Sequence, residues 1–130
     1  MNNSKRILIV DDDKDFQEVL SAKFKASGFE VWTAPDGAEG VTRAKEFKPD
    51  LIIMDVKMPK MDGMTAMLKI KEDPETKNIK IILLTAFGDP QPEIYNTDKR
   101  FAGEIGADGY LLKTQDLDEI VLKTKELLSN

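Results

Sequence analysis

Asp11 and Asp12 follow the apolar run Ile7-Leu8-Ile9-Val10, and Asp55 follows Leu51-Ile52-Ile53-Met54. Thr85 closes Ile81-Ile82-Leu83-Leu84, and Lys113 follows Tyr110-Leu111-Leu112. Each of these polar residues stands at the C-terminal end of a run that reads as a buried strand. In an open α/β sheet the strand C-termini form one edge, and ligands bind along that edge. Four runs would thus bring three carboxylates, a hydroxyl and an ammonium to one place. Magnesium is a hard cation that takes oxygen ligands and keeps several waters. Asp12 and Asp55 are candidates to bind it directly, Asp11 to act through water, and the Lys57 carbonyl to complete the protein side. Crowded carboxylates repel one another and would raise a pKa unless a divalent ion relieves them. An aspartate can also act as a nucleophile toward phosphorus, forming an acyl phosphate. Asp55 is the candidate nucleophile, with Lys113, the Thr85 hydroxyl and the Ala86 N–H left to pair with phosphoryl oxygens.

Taken singly, these residues have ordinary readings. Acids at strand ends serve as helix caps or stand in solvent, and Asp13 and Asp15 read that way. A threonine in a strand reflects β propensity, a lone lysine is a surface charge, and Tyr110 is a core aromatic. Coincidence at four separate strand ends is a poor account of all of them together.

The elements that must position these residues alternate in type. Arg6–Val10 reads as a strand, and Lys14–Ala26 as a helix with Phe16, Val19, Leu20 and Phe24 on one stripe. Gly28 reads as its C-cap. Phe29–Ala34 is a second strand, Pro35-Asp36-Gly37 a turn and Ala38–Phe47 a helix. Pro49-Asp50 precedes the Leu51–Met54 strand, and Asp62 caps a helix to about Ile70. Ile79–Leu84 and Gly109–Leu112 are the remaining strands, and Leu117, Ile120, Val121 and Leu127 or Leu128 stripe a last helix. Strands alternating with helices predict right-handed βαβ crossovers and a parallel sheet covered on both faces. Gly88, Pro90 and Pro92 delay any helix after Thr85.

The chain has 130 residues, enough for one core, and reads as a single domain over residues 1–130. Its net charge of -5 argues against direct nucleic-acid binding. Cysteine and histidine are both absent, which removes disulfides, thiol chemistry, histidine general bases and histidine zinc sites. The apolar runs are too short to insert in a membrane. The N-terminal residues do not read as a signal peptide, so the expected location is cytoplasmic.

Four motifs carry a resemblance to a known family. They are Ile7-Leu8-Ile9-Val10-Asp11-Asp12-Asp13, Asp55-Val56-Lys57-Met58-Pro59-Lys60-Met61-Asp62-Gly63, Leu84-Thr85-Ala86 and Gly106-Ala107-Asp108-Gly109-Tyr110-Leu111-Leu112-Lys113. From about Lys5 to Leu128 the chain resembles the response-regulator receiver domain of two-component signalling. The resemblance implies a doubly wound, flavodoxin-like α/β fold with five parallel strands in the order 2-1-3-4-5, an order that receivers share with flavodoxin. It implies that Asp55 accepts a phosphoryl group from a histidine kinase or histidine phosphotransfer protein. It implies that Asp11 and Asp12 hold magnesium and that Thr85 and Lys113 contact the phosphoryl group. It further implies a switch in which Thr85 moves toward the phosphoryl oxygen and Tyr110 turns inward. The face made by the helix after Thr85, the last strand and the last helix would then change its preference for a downstream effector, with phosphorylation-dependent dimerisation as one form. The missing histidine agrees with a donor on another molecule.

Two positions depart from the family. Thr114 stands where a proline joined by a cis peptide is usual. A cis bond before a non-proline residue costs about 2.5–4 kcal/mol, so a trans Lys113–Thr114 bond is expected, which leaves the reach of Lys113 open. The span from Thr85 to Lys113 is also several residues longer than usual, the excess falling around Gly88–Arg100. Lys57, two residues after Asp55, stands near the expected site mouth and would influence water access to an acyl phosphate.

Two other functions compete. A phosphatase of the haloacid-dehalogenase type also uses an aspartate nucleophile and magnesium, and Asp11 and Asp13 supply its Asp-x-Asp spacing. Asp15 stands where its threonine belongs, and the chain is short for a cap-bearing hydrolase. The other is a receiver-like scaffold that is never phosphorylated. An EF-hand fails, because Phe16 takes the glycine position and Ala22 the terminal glutamate position. The expectation is a phospho-accepting domain that catalyses its own phosphorylation and dephosphorylation but is not a turnover enzyme on a metabolite. No effector domain follows Asn130 within the chain, which suits a stand-alone receiver and a piece of a longer regulator alike.

Overall fold

The computed structural model describes residues 4–86 and 107–129. Within them the elements run β1 (Arg6–Val10), α1 (Lys14–Ala26), β2 (Glu30–Ala34), α2 (Gly37–Phe47), β3 (Leu51–Asp55), α3 (Gly63–Glu72), β4 (Lys80–Thr85), β5 (Gly109–Leu112) and α4 (Leu117–Leu128). The strand pairings are parallel, and the order across the sheet is β2-β1-β3-β4-β5. The parallel α/β sheet is the one the alternation of strands and helices predicts, and its order is the one the family resemblance implies. The Gly88–Arg100 insertion and the shape of the 87–101 segment lie outside the described residues.

Strand side chains alternate between two cores because successive residues point to opposite faces. Ile7, Ile9, Leu51, Ile53, Ile82 and Leu84 pack with Leu20, Phe24, Ile120 and Val121 beneath α1 and α4. Leu8, Val10, Ile52, Met54, Ile81 and Leu83 pack with Ala44, Ala66, Met67 and Ile70 beneath α2 and α3. Both faces being covered explains why the central strands read as unbroken apolar runs rather than as alternating patterns. Each fully buried Leu or Ile contributes about 1.5–3 kcal/mol. β1 and β3 carry such residues on both faces and anchor the edge where the acids stand.

Each described helix starts with an aspartate whose carboxylate accepts an N–H from the first turn. Asp13 accepts from Phe16, Asp36 from Glu39, Asp62 from Thr65 and Asp116 from Asp118. Such a cap is worth about 1 kcal/mol and fixes where the loop ends. Asp13 is therefore a cap, as expected. Gly28 has φ of 94°, the left-handed conformation expected where α1 ends.

Candidate functional site

The site grows from the ends of β1, β3 and β5. After Val10 the chain stays tied to β2, since the Asp11 N–H donates to the Ala34 carbonyl at 3.1 Å. Gln17, one turn into α1, donates to the Asp11 carbonyl at 3.2 Å and to the Ala34 carbonyl at 2.9 Å. The Asp13 N–H donates to Asp11 Oδ1 at 2.8 Å, which turns the Asp11 carboxylate into the site. Asp55 is the last residue of β3, opposite Leu84 in β4. The loop beyond it is closed by the Val56 N–H to the Leu84 carbonyl at 2.9 Å and the Gly63 N–H to the Val56 carbonyl at 2.7 Å. A Cβ on Gly63 would lie 2.2 Å from the Asp55 carbonyl oxygen, so only glycine allows α3 to begin this close. Lys60, in the same loop, takes φ of 66°, a left-handed conformation unfavourable for a residue with a Cβ.

Lys113 reaches this pair of acids from β5. Its N–H continues the sheet by donating to the Thr85 carbonyl at 2.8 Å. Its ammonium lies 2.9 Å from Asp11 Oδ2 and donates to Asp11 Oδ1 at 3.2 Å and to Asp55 Oδ2 at 3.5 Å. No peptide bond among the described residues is cis, so Lys113–Thr114 is trans as expected, and Lys113 still reaches both carboxylates. The Phe16 ring stands 4.6 Å from the same ammonium, centroid to nitrogen.

Asp11 and Asp55 are buried and Asp12 is exposed. One carboxylate oxygen from each of the three lies within 4.8 Å of the others. Burial pushes the Asp55 carboxyl up to about 7, the Asp11 charge adds to the rise, and Lys113 opposes it. Burial also raises Asp11, against the Asp13 N–H and Lys113. Burial works against the Lys113 charge, but the Asp11 hydrogen bond and the neighbouring carboxylates outweigh it and hold the pKa above the ordinary lysine value. The ammonium therefore does not fully compensate the acids. Asp11 Oδ2 is buried and stands 2.9 Å from the Lys113 ammonium, which it shares with Asp11 Oδ1 and Asp55 Oδ2. Three clustered carboxylates that share a single ammonium fit a small divalent cation such as magnesium.

The remaining expected residues are placed differently. Thr85 is buried at the end of β4, and its hydroxyl donates to the Ala86 carbonyl at 3.3 Å rather than to a carboxylate. Ala86 and Lys57 are exposed at the rim. Tyr110 is half-buried in β5 against the core under α2 and α3. Sequence reasoning missed Gln17 and Gly63 as supports of Asp11 and Asp55, and assigned Phe16 to the α1 stripe alone. Only the position of Gly63, directly after a capping aspartate, hinted at its role.

The chain matches the family model of the response regulator receiver domain over residues 7–125. It belongs to that family. It is 37% identical over 123 residues to the DNA-binding dual master transcriptional regulator RpaA of Synechocystis, covering 95% of this chain and 48% of RpaA. The chain spans about half the length of the curated relatives it matches first. Among solved structures, the signal receiver domain of a signal transduction histidine kinase from Syntrophus aciditrophicus superposes with a TM-score of 0.83 at 32% identity, covering 97% of this chain and 91% of that one. The chemotaxis protein CheY4 of Vibrio cholerae superposes with a TM-score of 0.82 at 27% identity, covering 96% and 99%. No helix among the described residues is long and apolar enough to cross a membrane.

Proposed function

We propose that this chain is a single receiver domain that accepts a phosphoryl group on Asp55, with magnesium as cofactor. The donor would be a histidine kinase or histidine phosphotransfer protein, and the product would signal by changed contacts with a downstream effector in the cytoplasm. One observation carries the reading: a buried carboxylate at the end of β3 faces two further acids and one ammonium.

In the transfer step an Asp55 carboxylate oxygen attacks phosphorus. An O–P bond forms while the bond from phosphorus to the donor nitrogen breaks, and the donor keeps that electron pair. Asp11, Asp12 and Asp55, with the Lys57 carbonyl, would hold magnesium, which neutralises phosphoryl charge when bound. Lys113 swings only a short way, from the carboxylates it already contacts to a phosphoryl oxygen beside them. Thr85 and Ala86, one strand over, offer a hydroxyl and an N–H to the remaining oxygens. Movement of the Thr85 hydroxyl toward the new group would free space for Tyr110, three residues before Lys113 on β5, and so alter the outer face of the sheet.

The test is intact-mass measurement after incubation with acetyl phosphate, with and without magnesium, on the native chain and on Asp55→Asn. A single phosphoryl adduct that needs magnesium and vanishes in the variant is expected. An adduct of equal size in Asp55→Asn would move the acceptor elsewhere, and release of phosphate from unrelated monoesters would favour a phosphatase.

A further inference from the structure

We infer that Phe16 is a positioning residue for Lys113, with the face of its ring holding the ammonium at the rim of the acidic site. This rests on the reading of Asp55 as phosphoryl acceptor and adds a residue to that site.

Lysine carries its charge on a flexible four-carbon stem, so a reproducible position needs partners for the head as well as for the backbone. The backbone is pinned twice. The Lys113 N–H donates to Thr85, and the preceding Leu112 N–H donates to Gln115 Oε1 at 3.0 Å while the Gln115 N–H returns to the Leu112 carbonyl at 3.1 Å. This side-chain clamp shapes the turn that carries a trans Lys113–Thr114 bond. Among the described residues the ammonium has three partners: Asp11, Asp55 and the Phe16 ring. The two carboxylates are the groups whose charge the proposed reaction redistributes, because Asp55 would become an acyl phosphate and Asp11 would pair with a bound magnesium ion. The ring face is the partner that the reaction leaves unchanged. A lysine ammonium over an aromatic face is attracted by the ring quadrupole, more strongly where water is excluded. The Lys113 side chain is only 16% exposed, so this attraction is poorly screened.

Phe16 is itself held in place by the same segment that shapes the acids. Its N–H donates to the Asp13 cap at 3.1 Å, and the Asp13 N–H orients Asp11. Its ring packs on the core under α1 and α4. The first turn of α1 thus delivers both the Asp11 orientation and the Lys113 support.

The test uses the full chain with Phe16 unchanged, Phe16→Leu, Phe16→Tyr, and phenylalanine trifluorinated on the ring at position 16. The fluorinated ring keeps its shape and loses the negative face. Labelling rates with acetyl phosphate at saturating magnesium, magnesium affinity by calorimetry and thermal denaturation are read on each. Phe16→Leu should slow labelling about fivefold, the fluorinated ring should slow it by an intermediate factor, and Phe16→Tyr should keep it near the native rate. Magnesium affinity should stay unchanged throughout. Equal rates for the native and fluorinated rings would overturn the proposal even if Phe16→Leu were slow, because shape alone would then account for the loss. Absence of any adduct on the native chain would instead sink the acceptor reading, and the positioning role with it.

Discussion

Asp55→Asn should make the metal-free domain more stable at pH 8. Asp55 is 5% exposed and its carboxyl is pushed up to about 7, mainly by burial and then by the Asp11 charge. A carboxyl displaced that far from 3.8 carries about 4 kcal/mol of disfavoured ionisation at high pH, at about 1.4 kcal/mol per tenfold. Part of the gain is lost because an amide nitrogen near the Lys113 ammonium is a poorer partner than a carboxylate, and because the folded state relaxes. A net stabilisation of about 1–2 kcal/mol remains, or a rise in Tm of about 3–10 °C for a domain of this size. The sign with pH follows from linkage. A carboxyl raised in the folded state binds its proton more tightly there than in the unfolded chain. The native chain therefore loses stability as pH climbs from about 4 to above 7, while Asp55→Asn lacks that loss. Thermal denaturation in EDTA at pH 5 and pH 8 checks it. The gap should be large at pH 8 and small at pH 5, and magnesium should narrow it at pH 8 because it binds the native chain more tightly than the variant. A variant no more stable than the native chain at pH 8, or a gap indifferent to pH, would refute the account of strained acids.

Asp12→Ala should weaken magnesium binding by at least tenfold and Asp15→Ala should leave it unchanged, as calorimetry can show; similar losses would mean that general acidity, not the cluster, holds the metal. Gly63→Ala places a methyl 2.2 Å from the Asp55 carbonyl and should cost about 1–3 kcal/mol in urea denaturation, with slowed labelling of Asp55; an unperturbed variant would show that α3 can back away freely. Lys60→Gly relieves a left-handed residue and should stabilise the chain by up to about 1 kcal/mol, readable in the same denaturation; a loss would show that the Lys60 pairing with Asp36 outweighs the backbone. Lys57→Ala should change the lifetime of the acyl phosphate without changing its formation, which timed intact-mass measurements would reveal; equal lifetimes would remove Lys57 from control of water access.

Much of the fold was legible because its signals are local. Unbroken apolar runs such as Leu51–Met54 fit strands buried on two faces, and Asp13 and Asp62 mark helix starts by chemistry that acts over three residues, whereas Asp36, read as part of a turn, caps α2 as well. Boundaries moved by a residue or two: β3 takes in Asp55, and α3 runs on to Glu72. Sequence also put Asp11, Asp12, Asp55 and Lys113 at strand ends, and strand ends in a parallel sheet share an edge. It could not say that Lys113 would lie between Asp11 and the Phe16 ring, because that meeting joins residues about a hundred positions apart across the stacked order of β1, β3, β4 and β5. Nor could it show the surplus of acid over ammonium, which depends on how deeply Asp11 and Asp55 are buried and so on the packing of the helices against the sheet. Residue types and spacing determined which groups would be present at the edge. Their distances, their desolvation and the identity of their supporting neighbours were decided only when the sheet and its helices closed, since electrostatic strength depends on separation and water exclusion rather than on order along the chain.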